Sequence, residues 1–277
     1  MKRSVVVILC TAIFGAWAAP HRSPLPTPRL YVLDCGTIDV TDMSFLAGTR
    51  GERKALPDPC FLVVHPRGIL LWDAGLGDEL AQLPDGKLYM GFRFHVARTL
   101  ASQLEEIGVA PDAVTYLGIS HLHADHTGNA PLFPRATLLL QREEYHAAFG
   151  PTPARFGMDT AAFPTLRNNP LRELDGDTDL FGDGTVIIKR APGHTPGHQA
   201  LFVRLPKTGN ILLSGDAAHL VENWTQRRVP GFNFDSAQTV RTMNDLAAFA
   251  QAEHAAVWIQ HDPTQNASRR RAPAFYE

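Results

Sequence analysis

The sequence predicts an α/β or α+β fold. Short runs rich in Val, Ile and Leu recur along the chain, and a few stretches of helical periodicity fall between them. Across 277 residues, 44% apolar and 19% charged side chains give the composition of a chain with a sizeable packed core. That composition excludes a disordered chain, a collagen-like fibre and a disulfide-dense mini-protein. The formal net charge of −2 draws the protein to neither nucleic acid nor an anionic membrane.

Residues 1–18 read as a cleavable signal peptide. Lys2 and Arg3 make a positive start, residues 5–14 a short apolar run that includes Cys10, and Ala16-Trp17-Ala18 an A-x-A cleavage site. The run is too short to span a bilayer. A periplasmic or secreted protein is therefore expected, without stable membrane insertion, with residues 19–277 as one mature domain. Residues 20–29 form an extended leader. Strands are expected at 30–33, 61–64 and 68–72, with His65-Pro66-Arg67-Gly68 as the turn between the last two. Leu100, Leu104 and Ile107 put a helix over 97–107. Strands follow at 114–119 and 136–140, then a polar helix at 142–148. Residues 150–179 are rich in Pro, Asn and Asp and read as a long excursion that forms one wall of a pocket. Its Phe156, Met158 and Phe163 either line that pocket or fill local core. Strands at 186–190, 200–205 and 211–213 come next. A helix then starts at Ser236, capped by Asp235 or Ser236, with Val240, Met243, Leu246, Ala247 and Ala250 on one face. A last strand spans 255–259.

Cys35 and Cys60 flank a strand–loop–strand segment, and in an exported protein they are expected to pair. Asn223-Trp224-Thr225 and Asn266-Ala267-Ser268 match glycosylation sequons, a pattern too short to carry weight. Arg269-Arg270-Arg271 reads as a solvated tail.

Twelve histidines are the unusual feature of the composition. Ser120-His121-Leu122-His123-Ala124-Asp125-His126-Thr127-Gly128-Asn129 sets four potential ligands directly after an apolar strand. A loop at a strand end folds such neighbours toward one point, where a strand would send them to opposite faces. Imidazole and carboxylate suit zinc, and also iron, manganese or cobalt. His194, Asp216 and His261 each follow a further strand, so all seven groups can meet at one sheet edge. Seven ligands are too many for one tetrahedral ion. They suit two divalent ions sharing a carboxylate, about 3.5–4 Å apart in sites of this kind.

His121-Leu122-His123-Ala124-Asp125-His126 matches the H-x-H-x-D-H signature, and the downstream His, Gly-Asp and His fall in the matching order. The chain thus closely resembles the metallo-β-lactamase superfamily. The resemblance implies an αββα sandwich of two mixed sheets between helical layers. It implies that His121, His123 and His194 hold one ion, that Asp125, His126 and His261 hold a second, and that Asp216 bridges them. Within the superfamily the chain looks most like the N-acyl homoserine lactone lactonases. Leu33-Asp34-Cys35-Gly36, Trp72-Asp73-Ala74-Gly75, Thr127-Gly128-Asn129 and Ser214-Gly215-Asp216-Ala217-Ala218-His219 carry that likeness. It departs at one position, where His219 stands in place of a tyrosine three residues after the bridging aspartate.

The function this implies is opening of the lactone ring by hydroxide formed between two cations, with the oxyanion stabilised by their charge. Asp125 orients or receives a proton, and His219 donates a hydrogen bond to the carbonyl or leaving oxygen. The expected partner is a small lactone or ester, and a homodimer is compatible with the sequence. The alternatives are hydrolysis of another ester or lactone, or of a β-lactam, although the bridging Asp216 is unusual for true β-lactamases. Asp73 either accepts from a ligating imidazole or caps a turn. His198 reads as outer support or, more simply, as a satisfied structural histidine. His65, His95, His146 and His254 lack ligand spacing.

Overall fold

A computed structural model describes residues 27–89 and 91–277. The expected signal peptide, Cys10 and most of the expected extended leader lie outside the described residues. Strand β1 (Arg29–Val40) pairs antiparallel with β2 (Lys54–His65), which turns at Pro66-Arg67 into β3 (Gly68–Trp72). A hairpin of β4 (Lys87–Tyr89) and β5 (Phe92–His95) adds to the second half of β1. Helix α1 (Leu100–Ile107) is capped by the Thr99 hydroxyl and ended by Gly108 at φ +76°, a left-handed turn that favours glycine. Strands β6 (Tyr116–Gly118) and β7 (Thr137–Gln141), helix α2 (Arg142–Phe149) and strand β8 (Leu171–Leu174) follow. The first sheet runs β4-β5-β1-β2-β3-β6-β7-β8, parallel from β3 to β8.

The second sheet is built from β9 (Thr178–Asp179), β10 (Val186–Arg190), β11 (Gln199–Leu205) and β12 (Gly209–Leu213). Helices α3 (Val221–Gln226) and α4 (Ser236–Ala252) lead to β13 (Ala256–Trp258), which lies parallel to β12. Helix α5 (Pro263–Ala267) precedes β14 (Phe275–Tyr276), which closes on the start of β1.

Three apolar layers make this the expected four-layer sandwich. Phe61, Val63, Trp72, Ile188, Leu201 and Leu213 pack between the sheets. Leu100 and Leu104 of α1 and Ala147 and Ala148 of α2 cover the outer face of the first sheet. Met243, Leu246 and Ala250 of α4 cover the second over Phe202 and Leu212. On α4, Val240 and Ala247 are only half-buried, while Thr239 and Thr242 face fully inward. Their hydroxyls explain the rotation. Thr242 donates to Pro192 O at 2.5 Å, and Thr239 accepts from Asn233 at 3.1 Å. Asp235 is the cap, accepting from Gln238 N.

The expected strands all form, but β1 and β2 run much longer than expected. Asp34, Gly36, Pro57 and Pro59 break the apolar pattern there, around a register shift between Asp34 and Thr37. Residues 150–179 form 3-10 turns and the short strands β8 and β9. Met158 and Phe163 join the core, whereas Phe156 reaches the cavity described below. Cys35 and Cys60 form the expected disulfide, with Cα atoms 5.7 Å apart. Asn223 and Asn266, the two sequon asparagines, are buried.

One expectation is corrected. Arg269 is not part of a solvated tail but 7% exposed. Its guanidinium stacks 4.7 Å over Trp258 and bonds Asn266, Gln265 and Ile259 O, so α5 and the strand before it consume the charge. Arg271 is half-buried and Arg270 exposed. Among the described residues, no helix is long and apolar enough to cross a membrane.

Candidate metal centre

Strand ends deliver every residue of the site. The loop after β6 carries Ser120 to His126, closing with a 3-10 turn at Ala124–His126. Asp73, directly after β3, adopts φ +58° and returns its Oδ1 to Ser120 N at 2.6 Å, which anchors the loop's start. His194 follows β10, Asp216 follows β12 and His261 follows β13.

His121 Nε2, His123 Nδ1 and His194 Nε2 lie 2.9–3.1 Å from one another. The outer nitrogens are engaged elsewhere. His123 Nε2 donates to Phe156 O at 3.0 Å, His194 Nδ1 donates to Asn233 Oδ1 at 3.1 Å, and His121 Nδ1 meets Ser120 Oγ at 3.1 Å. In these tautomers the inward nitrogens of His123 and His194 present lone pairs to each other. Lone pairs repel at this distance unless a cation sits among them. Burial lowers the pKa of all three imidazoles, well below the usual range for His121 and His194, and so favours the neutral, ligating form.

A second group adjoins the first. His126 Nε2 and His261 Nε2 lie 3.8 and 3.9 Å from Asp125 Oδ2. His126 Nδ1 faces Asp73 Oδ2 at 3.2 Å, and His261 Nδ1 donates to Pro57 O at 3.0 Å. Asp216 stands between the groups. Its Oδ2 is 3.6–3.8 Å from His194, His126 and His121, and its Oδ1 is 3.1 Å from His261 Nε2. Among the described residues, His126 Nε2, His261 Nε2 and Asp216 Oδ1 are buried without a hydrogen bond. Such orphaned atoms, converging with imidazole lone pairs and two carboxylates, fit divalent cations. Burial works against charge on Asp216 and His261, yet their mutual attraction prevails. It holds the carboxyl well below its usual range and lifts the imidazole to about 9. All seven expected ligands are therefore brought together, in overlapping triads that could hold metal.

His219 also reaches the centre. Its Nε2 is 3.1 Å from Asp216 Oδ2, its ring stacks on His261, and its Nδ1 is buried without a hydrogen bond among the described residues. His198 is a satisfied structural histidine. Nδ1 donates to Ala191 O and Nε2 accepts from Asp216 N, both at 2.9 Å, which fixes the backbone of Asp216. Asp73 both holds the loop and faces an imidazole. His65 and His95 pair with Asp183 and Asp39, away from the centre.

Sequence reasoning missed three side chains. Asn233 orients His194, and Glu144 of α2 bonds both ligand loops. Asp58 is wholly buried, with neither oxygen hydrogen-bonded among the described residues, and burial raises its pKa well above the carboxylate range. Glu144 carried no readable signal, since an acid in the first turn of a helix is ordinary. The ligand cluster floors a cavity of about 340 Å³. Ile38, Val40, Leu46, Leu56, Phe92, Phe94, Phe156 and Phe232 give it apolar walls. Phe45 and Phe232 stack at 4.6 Å.

Comparison with known proteins agrees with this geometry. The metallo-beta-lactamase superfamily pattern matches residues 54–253. The N-acyl homoserine lactonase AttM of Azorhizobium caulinodans is 37% identical, over 90% of this chain and 98% of its own. The N-acyl homoserine lactonase AiiA of Bacillus thuringiensis subsp. kurstaki is 28% identical, over 89% and 98%. The crystal structure of a quorum-quenching N-acyl homoserine lactone lactonase superposes with a TM-score of 0.76 at 27% identity, covering 90% of this chain and 98% of that one. An N-acyl homoserine lactone hydrolase with N-hexanoyl-L-homoserine at its catalytic metal centre gives 0.75 at 26%, covering 90% and 99%. This chain belongs to the metallo-beta-lactamase superfamily and is a metal-dependent hydrolase of it.

Proposed function

We propose that the protein is an exported dinuclear hydrolase that opens the lactone ring of N-acyl homoserine lactones. One observation carries the reading. A single cavity is walled by apolar side chains and floored by His123, Asp125, His194, Asp216, His219 and His261. That suits a substrate with a hydrolysable polar head and an apolar tail. The lactonases similar over nearly their whole length support the same substrate class. The Cys35–Cys60 disulfide supports export of residues 19–277 after removal of 1–18.

His121, His123 and His194 would hold one ion, Asp125, His126 and His261 another, and Asp216 both. Zinc suits this donor set, and iron, manganese or cobalt also fit it. Divalent cations bound there supply Lewis acidity, which acidifies water and polarises a carbonyl. In the net reaction a water oxygen joins the carbonyl carbon, the ring C–O bond breaks, and a proton ends on the released hydroxyl. Asp125 is the more exposed of the two carboxylates at the cavity floor, and would orient water or take its proton. His219 lines the cavity and faces Asp216 with Nε2, beside the place where a substrate oxygen would sit. The apolar walls hold the acyl chain and exclude water from it.

The test is steady-state hydrolysis by the metal-loaded mature protein. The panel is N-acyl homoserine lactones of several chain lengths, a simple ester, an unrelated lactone and a β-lactam. Turnover of the homoserine lactones, with KM falling as the acyl chain lengthens, is the expected result. Cleavage of the β-lactam or the simple ester without lactone turnover overturns the reading.

A further inference from the structure

Glu144 is the third residue of α2, yet its side chain is 0% exposed. Oε1 accepts from Leu122 N at 2.9 Å, the amide between His121 and His123. Oε2 accepts from Thr195 Oγ1 at 2.7 Å and Gly197 N at 2.9 Å, just beyond His194. The first loop springs from β6 of one sheet and the second from β10 of the other. One carboxylate thus ties the two sheets together beside the three imidazoles. Gly197 shows how closely the second loop is seated, since a Cβ there would lie 2.2 Å from Glu144 N. Burial pushes the Glu144 carboxyl up to about 7, against the pull of the three donors. An acid kept in so unfavourable a place is better explained by geometry than by stability.

We propose that Glu144 is a positioning residue that sets the separation of the His121–His123 pair from His194, and so the metal affinity of that three-histidine group. The inference rests on reading these imidazoles as the ligands of one ion. Ring orientation is set by Ser120, Phe156 O and Asn233, whereas loop-to-loop distance depends on backbone groups that Glu144 holds. Ligand spacing must be held within a few tenths of an ångström for a tetrahedral site. A shift between the loops therefore weakens one ion selectively.

The test compares wild type, Glu144→Gln, Thr195→Val and His121→Ala. The amide of Glu144→Gln keeps the shape but presents an N–H₂ to one set of donors. Thr195→Val removes one donor and leaves the acid. Zinc affinity is read by competition with a chromophoric chelator. Cobalt absorption spectra and thermal unfolding of the metal-free proteins are recorded alongside. Glu144→Gln is expected to weaken one zinc by roughly 10–100-fold, with a changed cobalt spectrum and nearly unchanged affinity for the other ion. Thr195→Val should show a smaller loss at the same ion. Folded Glu144→Gln with wild-type affinity for both ions overturns the positioning role alone. If that variant does not fold, unchanged affinity in Thr195→Val overturns it and a selective loss upholds it. Equal affinities in wild type and His121→Ala would sink the ligand reading itself, and the proposal with it.

Discussion

His219 is where the chemistry of one residue decides most. A phenol offers one O–H, whereas imidazole has two nitrogens, one of them 3.1 Å from Asp216 Oδ2. A donor aimed at a developing oxyanion is typically worth about 10²-fold or more in turnover. His219→Ala is therefore expected to cut lactone turnover by about 10²-fold with both metals retained. His219→Tyr should keep substantial activity, since the hydroxyl restores a donor. Steady-state rates with parallel metal analysis check both, and unchanged turnover in His219→Ala would remove the donor role. The candidate ligands themselves were legible because four of them crowd into one short loop whose only economical purpose is a cation. Asn233 and Glu144 were not, because their function exists only once α2 and the loop before α4 are folded against strand ends far away in sequence. Arg269 misled for the same reason, since three arginines in a row look solvated until Trp258 lies beneath one of them.

At the scale of elements, most of the strands legible in the sequence carry continuous apolar runs that end up buried, although β13 is only partly buried. The far halves of β1 and β2 were not legible, because Asp34, Pro57 and Pro59 mark a place where the sheet opens. There the Pro57 and Pro59 carbonyls accept from His261 and Gln260 instead of a neighbouring strand. The Cys35–Cys60 bridge clamps this opening, and the turn after β3 lies against it. Leu76 N donates to Cys35 O at 3.1 Å, and a Cβ on Gly75 would lie 2.2 Å from the Cys35 Cβ. The same turn holds the metal loop through Ala74 N to His126 O and Gly128 N to Gly75 O. Constraining a segment with a sequence separation of 25 is worth about 3.5 kcal/mol by the chain-entropy argument. The Cys35→Ser/Cys60→Ser double variant should lose about that much stability in urea unfolding. It should also bind metal more weakly at the His126 side. A urea midpoint equal to wild type would show that the packing of β1 on β2 needs no bridge.

Over the whole molecule, the site lies on the seam of the sandwich. His121, His123, Asp125 and His126 come from the first sheet, and His194, Asp216 and His261 from the second. The apolar layer between the sheets holds them together along their length, but at this edge imidazoles and carboxylates face one another. Without cations that edge carries opposed lone pairs and buried carboxylates. With cations the same groups become a cross-link between sheets. Binding to the folded state alone stabilises by RT ln(1 + [L]/Kd), about 4 kcal/mol at a thousandfold excess over Kd. For a chain of this size, that corresponds to a rise in melting temperature of roughly 10 °C. Chelation should therefore lower the melting temperature by about that amount and abolish hydrolysis. Zinc should restore both, near two ions per chain. Hydrogen exchange should localise the effect, with amides of the loops after β6, β10, β12 and β13 exchanging faster in the chelated protein while the central strands stay protected. A chelated protein that keeps its melting temperature and its loop protection would mean that hydrogen bonding alone closes the seam. Full hydrolytic activity in metal-free protein would refute the two-ion chemistry outright.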